Sequence, residues 1–196
     1  DRKCLPLPSA PRRLSDGCLR LGMFSRRYAR GVKGEDLLEA LLDHLDPARI
    51  SFLLVGEERW RDAAAIRAKG FAVESYERPP YRLISQLMHQ MDALLILSRF
   101  EGGPASLPEA LGSGVPVLCT PVGMCLDWVR DEDNGLVLNG DPKNIGERIM
   151  SLTEDNASCY ACLSDGAFRV DRPVPDWTVT MARWFDLYRE VLGLTA

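Results

Sequence analysis

Histidine is almost absent from this sequence, which has only His44 and His89, and neither has a serine or aspartate at a spacing that suggests catalysis. Six cysteines are present, but only Cys159 and Cys162 have a C-x-x-C spacing, and no second pair joins them. Because a structural zinc site takes about four such ligands, we expect no zinc site. Reduced, structural cysteines in a cytoplasmic protein are the simpler interpretation.

Long apolar runs are also missing, and no stretch approaches the roughly 18 apolar residues that indicate a membrane-spanning helix. Residues 1–6 contain neither an initiator methionine nor the apolar segment of a signal peptide. We therefore expect a trimmed chain from a cytoplasmic protein. In the full-length protein, the expected membrane contact is at most peripheral.

Positive charge is not in excess, since 24 Lys and Arg residues stand against 28 Asp and Glu residues, for a net charge of −4. A mildly acidic domain is not expected to bind nucleic acid. The distribution is uneven, however, because residues 18–33 contain no acid. Five basic residues lie in that stretch: Arg20, Arg26, Arg27, Arg30 and Lys33. Such clusters are usually solvated surfaces, but this one coincides with a candidate binding loop.

Apolar runs alternate with helix-like segments through most of the 196 residues, a length that suits one domain. The runs predict strands at 19–25, 50–55, 71–75, 93–97, 115–120 and 136–138. Helices are predicted at 35–45, 60–69, 81–91, 106–111 and 144–152. Strands that are apolar throughout are typical of a parallel sheet covered on both faces. The sequence therefore predicts an α/β fold, a Rossmann-like doubly wound parallel sheet over residues 18–196, with residues 1–17 as a linker or upstream tail.

Two loops are candidate binding sites, because ligands in such sheets bind at the carboxyl ends of the strands. They are residues 26–34 and residues 98–106. In the second loop, Glu101 precedes two glycines that let the backbone approach a ligand closely. Glu109 has a structural alternative, since Ser106 to Glu109 matches the capping box of a helix.

The segment from Ser98 to Val117 resembles the Glu-x7-Glu motif of retaining GT-B glycosyltransferases, the glycosyl transferases group 1. The resemblance continues through residues 120–123 and 133–137 and covers residues 19–192, the C-terminal half of the GT-B fold. It implies a UDP- or GDP-sugar as substrate, transfer with retention, no cofactor and no metal. The implied acceptor is a bacterial polysaccharide or a lipid-linked glycan. The implied partner is an N-terminal GT-B domain that we expect to be absent from this chain, so that the chain alone binds donor weakly and transfers little or nothing.

The resemblance also assigns roles to individual residues. Glu101 would hydrogen-bond the hydroxyls of the transferred sugar, and Glu109 would hold the ribose hydroxyls. The backbone groups that would face the sugar and the diphosphate belong to Gly102, Gly103 and Ala105, with Ser106 beside them. The usual Gly-Phe-Gly of the family is Gly102-Gly103-Pro104 here, which leaves the sugar open.

Two cations of the first loop complete the implied site. Lys33 and Arg27 would stabilise the departing diphosphate as negative charge builds up on it. Arg26 is the alternative to Arg27. Residues 131–133 resemble an Asp-x-Asp metal motif, but their position before Asn134-Gly135 favours a surface turn.

Other functions remain open. A GT-B epimerase or phosphorylase would share the fold, although no lysine lies in an apolar run where a phosphorylase would hold pyridoxal phosphate. A regulatory or scaffold domain could keep the site without activity. A nicotinamide-binding domain is disfavoured because no G-x-G-x-x-G follows the first strand. The aromatic stripe of residues 177–192 is expected to pack on the partner domain.

Overall fold

The structure, a computed structural model, describes residues 7–14, 17–28, 30–169 and 177–194. Its strands are β1 (Leu19–Phe24), β2 (Ile50–Val55), β3 (Ala72–Tyr76), β4 (Ala93–Ile96), β5 (Val117–Cys119) and β6 (Gly135–Val137). They form one sheet in the order β3-β2-β1-β4-β5-β6, and every neighbouring pair is parallel. Each strand overlaps a predicted apolar run, and the predicted parallel sheet is confirmed.

Helices connect the strands and follow the last one. They are α1 (Glu35–Leu41), α2 (Arg59–Ala68), α3 (Tyr81–Met88), α4 (Ser106–Gly112), α5 (Cys125–Trp128), α6 (Pro142–Met150), α7 (Ser158–Phe168) and α8 (Trp177–Val191). Short 3-10 helices lie at Leu42–His44, Ser151–Thr153 and Asp155–Ala157. The sequence did not predict α5, because its four residues are too few to show a helical period.

Two buried clusters cover the two faces of the sheet. One joins the sheet to α1, α2, α6 and α7, and the other joins it to α3, α4 and α5. Alternate residues of β2 divide between them: Phe52 and Leu54 belong to the first cluster, and Leu53 and Val55 to the second. Helices on both faces are the reason that the strands are apolar throughout. The fold is the predicted Rossmann-like, doubly wound arrangement.

The predicted linker lies against the domain over its described part. The Arg12 side chain donates a hydrogen bond of 2.9 Å to the His89 carbonyl, and the Arg13 side chain donates one of 2.8 Å to Asp165. Burial lowers the pKa of the Arg12 guanidinium. These contacts lie away from the carboxyl ends of the strands, since His89 follows α3 and precedes β4.

The last described helix, α8, contributes no buried residue. Its large apolar side chains are strongly exposed, with Trp184 at 49% and Phe185 at 58% of their maximum accessible area. An exposed face of this kind indicates an interaction surface. Among the described residues, no helix has the length and apolar character needed to span a membrane.

Candidate active site

The carboxyl ends of β1 and β4 lie side by side at the centre of the sheet, where the winding reverses. The chain proceeds from β1 to β2 and β3 on one side, and from β4 to β5 and β6 on the other. Open α/β sheets bind ligands in the crevice at this kind of switch point. The two loops singled out in the sequence leave these two strands.

A cavity of about 230 Å³ lies between the two loops. Lys33 from the first loop and Glu101 from the second line it, and Lys33 Nζ forms an ion pair with Glu101 Oε2. The two side chains are only 16% and 14% exposed, so the pair is largely shielded from water. Ser98 Oγ donates a longer hydrogen bond, 3.4 Å, to the same carboxylate oxygen. An acidic and a basic group therefore face each other in a shielded space.

The turn after Glu101 presents backbone to the cavity. Gly103, Ala105 and Ser106 line the cavity, whereas Gly102 does not. Within the described chain, the N–H groups of Gly103 and Ala105 make no hydrogen bond. These two donors are therefore available to an acceptor that enters the cavity.

A third loop, after β5, packs against the backbone of this turn. Gly123 has a φ of +48°, and a Cβ there would come closer than 3.0 Å to backbone atoms of Glu101 and Gly102. The Met124 N–H donates a hydrogen bond of 3.0 Å to the Gly102 carbonyl. Only glycine permits this approach, so Gly123 fixes the position of the Glu101 turn.

Glu109 lies one turn into α4, three residues after Ser106, so both lie on one side of the helix. The predicted capping box does not form, because Ala105 is the N-cap and no side chain caps the helix. Burial raises the pKa of the Glu109 carboxyl group above its ordinary value. No hydrogen bond or ion pair joins the carboxyl group to a described residue. The capping explanation for Glu109 therefore fails.

The first loop is fixed against the second by a glycine. Gly34 adopts a left-handed conformation with a φ of 77°, and a Cβ there would clash with the Leu97 carbonyl. The Arg99 N–H donates a hydrogen bond of 2.9 Å to the Val32 carbonyl. These contacts bring Lys33 next to the end of β4 and hence next to Glu101.

The two neighbouring arginines of the first loop point in different directions. Arg26 lines the cavity, and its guanidinium carbon lies 4.3 Å from the centre of the Tyr28 ring. The same ring lies 5.8 Å from Lys33 Nζ. Arg27 instead donates a hydrogen bond of 2.9 Å to Asp62 and lines a different cavity, between α1 and α2. The structure thus places Arg26, rather than Arg27, beside Lys33 and Glu101.

A buried charged cluster behind the first loop was missed in the sequence. Arg59 is fully buried and donates hydrogen bonds of 2.8 Å and 2.7 Å to Ser25 and one of 2.7 Å to Asp62. Glu35 is also buried and lies 4.0 Å from the Arg59 guanidinium. Charged residues in a helix-favouring stretch are typical of a surface, so composition gave no signal. The one available signal was position, since Arg59 follows β2 at the carboxyl edge of the sheet.

The acidic triplet at 131–133 lies in the turn before β6, as predicted. Asp131 and Glu132 pair with Arg148, and Asp133 pairs with Arg130. Because these three carboxylates are paired with arginines, they are less available to bind another cation. All five cysteines of the described residues are free thiols, and Cys159 and Cys162 lie on α7.

Residues 19–155 match the sequence family described as glycosyl transferases group 1. That match covers more than half of the 196 residues. The chain belongs to this family. Among curated proteins, none matches the chain.

Solved structures of other glycosyltransferases share the fold of this group 1 chain. HepE from Anabaena, in complex with UDP-glucose, superposes with a TM-score of 0.72 at 23% identity and covers 91% of the chain. The sucrose-phosphate synthase of Thermosynechococcus elongatus has a TM-score of 0.73 at 19% identity and covers 99%. The C-terminal domain of LpcC, a glycosyl transferase group 1 protein of Francisella tularensis, has a TM-score of 0.64 at 16% identity and covers 76%.

The fraction of each solved protein that this chain covers differs between them. The chain spans 49% of HepE and 49% of the sucrose-phosphate synthase, but 82% of the LpcC C-terminal domain. At these identities the similarities establish the fold, a Rossmann-like domain that matches one domain of GT-B glycosyltransferases. A group 1 domain of this size therefore corresponds to about half of HepE.

Proposed function

We propose that this chain is the donor-binding domain of a glycosyltransferase that uses a UDP- or GDP-sugar and transfers the sugar with retention. The observation that carries the proposal is the shielded Lys33–Glu101 pair, in a cavity at the switch point of the sheet. The complex of HepE with UDP-glucose, a protein of the same fold, supports a nucleotide sugar as the ligand. The acceptor that we propose is a polysaccharide or a lipid-linked glycan.

The ion pair provides a cation and an acceptor group for the two halves of the donor. When a donor enters, Lys33 exchanges the Glu101 carboxylate for the diphosphate, and Glu101 becomes free to accept hydrogen bonds from sugar hydroxyls. As the bond between the sugar and the diphosphate breaks, negative charge grows on the phosphate oxygens. Lys33 lies where it stabilises that charge more strongly in the transition state than in the ground state.

Arg26 is the second cation that we assign to the diphosphate. It lines the same cavity and stacks on Tyr28, whereas Arg27 is engaged by Asp62. The N–H groups of Gly103 and Ala105 are assigned to the phosphate and sugar oxygens, beside Ser106. No metal or cofactor is needed in this scheme, because side-chain cations neutralise the leaving group.

Glu109 is assigned to the ribose. Glu109 does not line the cavity itself, but it lies three residues after Ser106, which does; its carboxyl group has no described partner, and the residue is half-buried. Two neighbouring hydroxyls of a ribose donate hydrogen bonds to the two oxygens of one carboxylate, which satisfies a group whose burial is otherwise costly.

The exposed face of α8 is assigned to the N-terminal domain of a complete GT-B enzyme. Trp184 and Phe185 are two of the large exposed apolar side chains of that helix. Half of the active-site cleft belongs to the partner domain in this scheme, so we expect the chain alone to bind donor weakly and to transfer sugar slowly or not at all. Free thiols are typical of the cytoplasm, and we place the protein there.

Calorimetric titration of the chain with UDP, GDP, uridine and guanosine tests the assignment. Lys33→Ala should lower the affinity for the better diphosphate roughly tenfold or more and leave the nucleoside unaffected, because charge-assisted hydrogen bonds are worth about 1.5–3 kcal/mol. Glu109→Ala should lower the affinity for the diphosphate and for the nucleoside alike. Arg30→Ala, in an exposed part of the same loop, is the matched control. Unchanged affinities in both site variants would reject this placement of the nucleotide.

An epimerase or a regulatory domain would show the same nucleotide binding. The full-length protein with a labelled donor separates them from a transferase. Sugar transferred to glycan supports the proposal, whereas a changed sugar released as the free nucleotide sugar identifies an epimerase.

A further inference from the structure

The first loop of the site is anchored by charged groups that lie behind it and do not line the cavity. Arg59 is 0% exposed and donates two hydrogen bonds to Ser25, one to its carbonyl and one to its hydroxyl. Ser25 is the first residue after β1, so Arg59 holds the start of the loop. A fully buried guanidinium is rare unless every donor has a defined task.

Glu35 holds the same loop at two further points. Its Oε1 accepts a hydrogen bond of 2.9 Å from the Tyr28 N–H, and its Oε2 accepts one of 3.1 Å from the Lys33 N–H. Glu35 is itself 4.0 Å from the Arg59 guanidinium. The backbone of the loop is therefore tied at Ser25, Tyr28 and Lys33 to one connected cluster.

Asp62 completes the cluster and separates the two arginines. Its two carboxylate oxygens are used by different partners: Oδ1 accepts from Arg27 and Oδ2 accepts from Arg59. Arg27 is thereby turned away from the cavity, and Arg26 remains on the cavity side. Two acids and two arginines balance one another, so the cluster is neutral without any contribution from Lys33 or Glu101.

We propose that Arg59 is a positioning residue: through Ser25, Glu35 and Asp62 it fixes the first loop so that Lys33 and Arg26, and not Arg27, face the donor. The part of this statement that concerns the donor rests on the proposed function, and the part that concerns the loop does not. Arg59 does not itself line the cavity; it contacts Ser25, which does, and it acts through the loop that it holds.

Guanidinium geometry is central to the proposal. Arg59 uses its Nε and one terminal nitrogen on Ser25, and its other terminal nitrogen on Asp62. A lysine has a single point of donation and cannot satisfy these separated acceptors at once. Arg59→Lys therefore keeps the charge but loses the anchorage.

The first test needs no ligand. Amide hydrogen exchange, followed by NMR on the chain, reports the N–H groups of Tyr28 and Lys33. In Arg59→Lys and Glu35→Gln these two amides should exchange roughly tenfold faster or more, relative to amides of the sheet in the same variant. The matched control is Arg12→Met, which removes another largely buried arginine whose partner, His89, is remote from the loop. Exchange of Tyr28 and Lys33 that changes no more in Arg59→Lys than in Arg12→Met would overturn the proposal.

The second test measures the consequence for binding. In Arg59→Lys the affinity for UDP or GDP should fall roughly tenfold while the affinity for the nucleoside stays the same. A general loss of structure would lower both affinities, and that result would also overturn the proposal.

A third test uses Asp62. In an Asp62→Asn background, Arg27 is released, so a further Arg27→Ala change should lower the affinity for the diphosphate. Arg27→Ala alone should have little effect on that affinity. If the unchanged chain binds neither diphosphate, the proposed function fails, and the exchange test still decides whether Arg59 positions the loop.

Discussion

Replacement of Gly123 by alanine gives the sharpest test of how the site is built. Gly123 has a φ of +48°, where an L-residue costs roughly 1–2 kcal/mol. A Cβ there would also come closer than 3.0 Å to backbone atoms of Glu101 and Gly102, which cannot swing away as a side chain can. We therefore expect a loss of roughly 3 kcal/mol or more in the free energy of unfolding, since both effects act together.

Gly17→Ala is the matched control for the backbone conformation. Gly17 has a φ of +69°, but a Cβ there would meet nothing within 4 Å. It should lose only the conformational part, roughly 1–2 kcal/mol. The difference of about 2 kcal/mol corresponds to roughly 4–8 °C in Tm for a chain of this size.

Two measurements check the argument. Urea denaturation of the three proteins gives the free energies, and titration with UDP or GDP gives the effect on the site. In Gly123→Ala the Glu101 turn must move, so affinity should fall as well as stability. Equal losses of stability in Gly123→Ala and Gly17→Ala would refute the claim that the third loop supports the turn by close backbone contact.

Three further predictions concern the site and the exposed helix. Glu101→Gln removes a competing anion from Lys33, so UDP or GDP should bind more tightly, while the matching nucleotide sugar should gain less affinity or lose affinity. Calorimetry with the two ligands measures this, and equal changes in affinity for both would contradict the prediction. Burial raises the pKa of Glu109, so its contribution to stability is complete at low pH and is lost as the pH rises through that raised pKa. Glu109→Gln should therefore flatten the dependence of the unfolding free energy on pH, measured by urea denaturation between about pH 4 and 7. A dependence as steep as in the unchanged chain would contradict the assignment. Trp184→Ser with Phe185→Ser should leave the unfolding free energy in urea denaturation within about 0.5 kcal/mol, because both side chains are exposed. A clear drop in stability would mean that α8 packs on the domain.

The sheet and most of its helices could be predicted because their signals are local. A run such as β2 is apolar at every position, and that pattern reports helices on both faces before any helix is located. The boundaries of α1 were less predictable, because the helix passes into a 3-10 turn at Leu42–His44 without a break in the apolar pattern. The short α5 left no periodic signal at all.

The position of Glu101 could also be predicted, because the residues that determine it lie in its own loop. A strand followed by two glycines and a helix puts Glu101 at the carboxyl edge of the sheet. Lys33 follows from the same rule applied to β1. The capping box at Ser106 and Glu109 shows the limit of such reasoning, since the helix begins one residue away from the position that the motif requires.

The choice between Arg26 and Arg27 could not be made from the sequence, because it is decided by a residue far along the chain. The two side chains are neighbours of the same type, and their spacing to Lys33 differs by one. Asp62 lies on another helix, and only the parallel pairing of β1 with β2 brings it next to the first loop. Asp62 engages Arg27, whereas Arg26 lies over the Tyr28 ring and lines the cavity. The identity of the cation at the cavity is thus a property of packing between α2 and the loop, and a family motif in the loop alone does not contain it.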